Sequence, residues 1–211
     1  MRLVLLLASV LCAVLAVGAS ALAVGTPALA GQTISWQTLA PATGAPVRIA
    51  AGAERAGAVD RSTFDGSDED FSLFLEDLEL MREMQPPGGF LNTALDGREV
   101  EIAGYVTPVG FDDDVVTEFL FVPFLGACVH VPPPEANQII HVTNASGIRA
   151  DDVWQPVWLS GRLRAKPVAT VLADVGYRMN GATVRPYDGP SDALEGERYA
   201  EGEQYGALPA D

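Results

Sequence analysis

The chain has 211 residues, with 13 Lys and Arg against 28 Asp and Glu and a formal net charge of −15 at pH 7. A surface this acidic repels phosphate backbones, which makes nucleic acid a poor partner class. The length supports one domain with a sizeable core, and two cysteines and two histidines are all the thiol and imidazole groups available.

Residues 1–30 read as a signal peptide. Arg2 supplies a short positive region, Leu3 to Val24 is apolar and uncharged, and Pro27-Ala28-Leu29-Ala30 ends in a small-residue cleavage pattern with Gly31 as the first mature residue. The expectation is export to the periplasm or beyond, with no stable membrane insertion after cleavage. A retained anchor is the alternative, because the apolar run reaches the ~20 residues needed to span a bilayer. Cys12 suggests a lipid anchor, but Leu11 stands where that signal needs a small residue and the apolar run continues past it. Loss of Arg2 with the leader leaves 12 Lys and Arg against 28 Asp and Glu, a net charge near −16. It also leaves Cys128 as the single cysteine, which cannot close an internal disulfide.

Residues 31–66, rich in Ala, Gly and Pro, read as an extended and mostly irregular lead-in anchored by Trp36. Ser67 caps a predicted helix: Asp68 to Asp70 fill its first turn, and Phe71, Phe74, Leu75, Leu78 and Met81 form its apolar stripe. Pro86-Pro87-Gly88-Gly89 stops it, and Leu73 and Leu80 fall on the opposite side, so the helix is covered on two faces or binds a partner. From Leu95 the period changes to two. Predicted strands run from Val100 into Val106, Val115 to Pro123, Gln138 to Thr143, Val157 to Leu163 and Ala182 to Tyr187, with Val168 to Val175 read as a short helix. Asp112 to Asp114 read as a solvated turn rather than a cation site. On the second strand Glu118 shares a face with Leu120 and Val122, a charge that needs a partner or a strand end. The tail, 188–211, reads as disordered. Five short strands with Gly-bearing turns predict a mainly β fold with accessory helices over 67–187, its core over 95–187. The form is a small OB-like Greek-key barrel, with a β-sandwich as the alternative.

Gly126 to Gln138, GACVHVPPPEANQ, is the chemically richest stretch. In an extended backbone the Cys-x-His spacing puts Cys128 and His130 on one face, and Pro132 to Pro134 then form a stiff, polyproline-like arm. Thiolate and imidazole are preferred zinc ligands, but one cysteine and two histidines cannot fill a closed structural site. A bound ion would therefore be exchangeable and completed by Glu118 first, then His141, with Glu135 third. Two other readings stand beside this one. Cys128 is a buried small residue while the proline arm docks a partner as a non-enzymatic module, or His130 activates Cys128 as a thiol enzyme with Asn137 orienting the imidazole. The sequence favours a protein that is not an enzyme.

The runs Leu95-Asp96-Gly97, Val100-x-Ile102-x-Gly104-Tyr105-Val106-x-Pro108, Glu118-Phe119-Leu120-x-Val122-Pro123, Gly126-Ala127-Cys128-x-His130-x-Pro132-Pro133-Pro134, Asn137-Gln138, Pro156-Val157-Trp158-x-x-Gly161 and Gly176-Tyr177 resemble a family of exported bacterial proteins, often labelled lipoproteins, that carry a domain of unknown function. The resemblance covers about Leu95 to Tyr187. Some members are encoded beside ABC-type importers in zinc-responsive gene sets, which implies metal handling and an importer or envelope protein as partner. The chain departs from the pattern in lacking a lipobox, and His141 stands where relatives often carry another residue.

Overall fold

The computed structural model describes residues 31–50, 53, 55–57, 66–129, 131–190 and 194. The predicted leader, most of the tail and His130 lie outside the described residues. Among the described residues no helix is long and apolar enough to cross a membrane.

Six strands build the centre: β1 (Glu99–Asp112), β2 (Val115–Val122), β3 (Ile140–Thr143), β4 (Val157–Arg162), β5 (Tyr177–Asn180) and β6 (Thr183–Pro186). β1 pairs antiparallel with β4 through Glu99 to Gly104 and with β2 through Tyr105 to Asp112, with register shifts between Pro108 and Gly110 and again between Gly110 and Phe111. These irregularities bend the long strand, so that one strand serves two neighbours and the sheet curls. β2 pairs antiparallel with β3, β5 lies parallel to β3, and β6 adds antiparallel to the free side of β4. Just past β4, Arg164 and Arg178 exchange two backbone hydrogen bonds of 2.9 Å each, which brings the curled sheet back onto β5. The cyclic order β1-β2-β3-β5-β4, with its one parallel pair, is that of an OB-like barrel.

The period-two pattern of these strands separates two apolar cores. Val100, Ile102, Val106, Phe119, Phe121, Ile140, Val142, Leu159, Tyr177 and Met179 fill the curled interior. Tyr105, Leu120, Val122 and Ile139 point outward and are covered by Phe124, Ala127, Cys128, Leu172, Ala173, Val175 and Leu78 of the long helix.

The lead-in is more regular than its composition suggested. Gln32–Thr33 pairs parallel with β1, and helix α1 (Trp36–Leu39) lowers Trp36 into the barrel. There its ring lies 5.6 Å from that of Phe121, and its Nε1 donates to Ala103 O at 2.8 Å. Space for the indole comes from Gly104, where a Cβ would sit 2.6 Å from Val122 O and 2.8 Å from the Trp36 ring. Tyr177 fixes the other end of α1, donating to Leu39 O at 2.7 Å and accepting from Asn92 N at 2.6 Å.

Helix α2 (Asp68–Glu83) begins as expected, with the Ser67 side chain accepting from Asp70 N and the Asp70 carboxylate accepting from Ser67 N. The helix predicted over Val168 to Val175 is instead a small hairpin, Val168–Ala169 paired with Asp174–Val175. Its turn closes through Thr170, whose hydroxyl donates to Ala173 O at 2.7 Å and accepts from Ala173 N at 3.0 Å. β-Branched residues and a side chain able to satisfy the backbone locally both favour that turn over a helix.

Gly104→Ala should lower stability by about 2 kcal/mol, because neither the Val122 carbonyl nor the wedged indole has room to move. Urea unfolding followed by tryptophan fluorescence checks this through a lower midpoint at unchanged slope.

Candidate functional site

The outward face of β2 and β3 brings together a carboxylate and an imidazole. Glu118 precedes Leu120 on β2 by one period, and His141 registers opposite Leu120 on β3. Their side chains therefore share the outer face. Glu118 Oε1 meets His141 Nε2 at 2.8 Å. The bulge of β1 makes this possible: Gly110 registers with Glu118, and a Cβ there would lie 3.1 Å from the Glu118 Cβ. A short strap crosses nearby, with Ala56 bonded through its backbone to Ala169 and Val171, and with a Cβ at Gly57 falling 4.0 Å from Glu118 Oε1. On the other side of His141, Arg178 of β5 occupies the register position next to it.

The pair is electrostatically lopsided. His141 is 3% exposed and Glu118 is 32% exposed in their side chains, so the carboxylate reaches solvent while the ring does not. Because an ionised carboxylate only accepts, Nε2 carries the hydrogen, and in the neutral ring Nδ1 keeps its lone pair. That Nδ1 is buried and has no hydrogen-bond partner among the described residues. Buried polar nitrogens are nearly always satisfied, and one that is not marks a place where something else binds or where energy has been given up.

Cys128 lies in the covering layer of the same face, but in a different backbone state from the extended one expected. Gly126 and Cys128 both have positive φ, 85° and 71°, and Val129 N and Val131 N both donate to Gly126 O at 3.3 Å. A reciprocal contact, Cys128 N to Val131 O at 3.0 Å, closes the turn, and Thr107 Oγ1 ties Ala127 O to β1 at 2.9 Å. A non-glycine residue in the left-handed region costs of order 1 kcal/mol and persists only where its surroundings impose it. The turn drives the thiol inward, to 1% exposure, while Val129 and Val131 remain exposed. Burial pushes the Cys128 thiol well above its ordinary range.

The segment beyond the turn is anchored rather than projecting. Pro133 and Pro134 are buried, and Pro134 O accepts from Gln85 Nε2 at 2.9 Å. Asn137 and Gln138, equally prominent in the motif, donate to Phe90 O and Trp36 O at 3.1 Å each. Asn137 thus binds the chain at Phe90, and its Oδ1 is buried without a partner among the described residues. Glu135 is half-buried, with its carboxylate close to Gly89. Of the four expected ligands, Glu118 and His141 meet directly, Cys128 sits in the layer above the same face, and His130 lies outside the described residues. Among the described residues no three His, Cys, Asp or Glu side chains gather as a metal-holding group. The Glu118–His141 contact could not be found by local reading, because it depends on the register of two strands 23 residues apart.

An OB-like barrel whose outer face is covered by its own chain, with a carboxylate–imidazole pair at the edge of that cover, its imidazole buried, defines the class of protein. The chain belongs to a family described as proteins of unknown function, DUF3299, whose model matches residues 36–186. It is similar to the crystal structure of a DUF3299 family protein from Pseudomonas aeruginosa, with 31% identity and a TM-score of 0.56, covering 77% of this chain and 99% of that one. No curated protein matches the chain.

With metal removed by a chelator, Cys128 should react with a thiol–disulfide reagent at least ~100-fold more slowly in the native protein than in urea, because a buried, protonated thiol is a poor nucleophile. Comparable rates at neutral pH would place the thiol at the surface.

Proposed function

We propose that this is an accessory protein of the cell envelope that binds one exchangeable transition-metal ion, zinc by its donor chemistry, in the setting of metal uptake. The observation that carries this reading is His141: Nε2 is held by Glu118 while Nδ1 is buried with no partner among the described residues. A carboxylate on one ring nitrogen fixes the tautomer and makes the other nitrogen a better ligand, the arrangement common behind protein-bound zinc. In this assignment His141 Nδ1 is a ligand, Glu118 a positioning residue, and Cys128 and His130 supply the thiolate and the second imidazole. A donor set this small suits an ion that is taken up and passed on.

The competing readings are weaker. A thiol nucleophile needs a depressed pKa and access, and Cys128 has neither. A proline arm that docks partners needs exposure, whereas Pro133 and Pro134 are buried. Export of the mature chain from about Gly31, and an ABC-type importer as the partner, belong to the same proposal and rest on the leader-like residues 1–30 and on the resemblance.

Calorimetric zinc titration of the reduced protein tests it. The native chain should bind one ion, His141→Gln, His130→Ala and Cys128→Ser should each lose most of that binding, and Glu118→Gln should weaken it by ~10–100-fold. Affinity should fall on acidification, because a protonated imidazole stops acting as a ligand. No binding by the native protein, or equal binding by the folded variants, would overturn the proposal.

A further inference from the structure

Helix α2 has two faces with different chemistry. Its inner stripe is Phe71, Phe74, Leu78 and Met81, with Leu78 buried in the second core, Phe74 packed against that core, and Phe71 and Met81 half-buried. The outer face carries a second apolar seam: Leu73 at 54%, Leu80 at 59% and Met84, at the helix cap, at 53% exposure. Spacings of seven and four residues align these three along about three turns of helix. Glu69, Glu76 and Glu83 recur at the same interval of seven along one flank of the seam, and Asp77 lies on the other; all four are exposed. The helix has seven acids and one arginine, and that arginine turns inward and pairs with Glu79 at 3.8 Å. A 16-residue helix held by one stripe is marginal on its own, and three large apolar side chains exposed in line are not explained by its packing.

We infer that the Leu73–Leu80–Met84 seam of α2 docks a basic amphipathic helical segment of another protein. Charge selects this occupant. A second copy of the chain would bring the same row of glutamates with it, on a molecule of net charge −15, and an anionic membrane surface would be repelled for the same reason. A helix with leucine-like residues at three- and four-residue spacing and Lys or Arg on its flanks fills the seam and neutralises Glu69, Glu76 and Glu83. This inference is independent of the metal site, since none of these residues touches it.

The test uses a labelled synthetic helix of about 18 residues, with leucines at three- and four-residue spacing and flanking lysines, and a twin with glutamate at each lysine, followed by anisotropy with a chelator at about 50 and 500 mM salt. The lysine peptide should bind the native protein, less tightly at high salt, and the glutamate twin should not. Leu73→Gln with Leu80→Gln should weaken binding about tenfold or more without loss of helical circular dichroism, because both side chains are already in solvent. Glu76→Lys with Glu83→Lys should reverse the preference between the peptides. Absence of binding, binding unaffected by the leucine changes, or reversible dimerisation of the native chain in sedimentation would each overturn the inference.

Discussion

A sheet that is apolar on both faces has to be covered twice, and almost everything else in this molecule follows from that constraint. Closing the sheet through Arg164 and Arg178 covers one face by turning it inward. The other face cannot be treated the same way, so the chain brings separate pieces to it: the Cys128 turn, the 168–175 hairpin, the strap at 55–57 and one stripe of α2. At ~25 cal/mol per Å² of apolar surface removed from water, each large side chain in this cover contributes about as much as one in the interior. The outer layer is thus a second core, and it lies over the strands that in other OB-like barrels form the ligand face.

This explains where the chemistry ends up. A layer assembled from several short segments has edges, and at one edge Glu118 and His141 meet with one group in solvent and the other sealed. The cysteine that drew attention in the sequence is part of the covering material, held in a left-handed turn that only its neighbours can enforce. The proline run and the Asn137-Gln138 pair act as fasteners between that layer, the lead-in, Gln85 and the chain at Phe90. Residues that look like a reactive motif in one dimension therefore act, for the most part, as fasteners.

How much of this could be read from the residues varies with how local the cause is. The cap at Ser67 is written within four residues and appears as expected. β1 and β2 are long enough for alternation to show which side chains lie inside, and the barrel class follows from them. β5 escaped because Tyr177–Asn180 offers only two inward residues, and β6, the strand expected to complete the barrel, instead extends β4 from outside. The 168–175 hairpin does not show in the sequence because a mostly apolar run fits a helix turn as well as two short strands, and a single threonine hydroxyl decides between them. For the site, Glu118 was recognisable as a charge in need of a partner. Its partner was not, since only the pairing of β2 with β3 selects His141.

The docking of Trp36 bears on the order in which the molecule assembles. Its segment is held by Ala103, Gln138 and Tyr177, contacts that span 67, 102 and 138 residues of chain. Such distant closures are entropically costly and form late. A segment made early is therefore secured late, since its bond at Leu39 O waits for Tyr177. An indole that arrives only then acts as a bolt, and the barrel is complete only once it is drawn across.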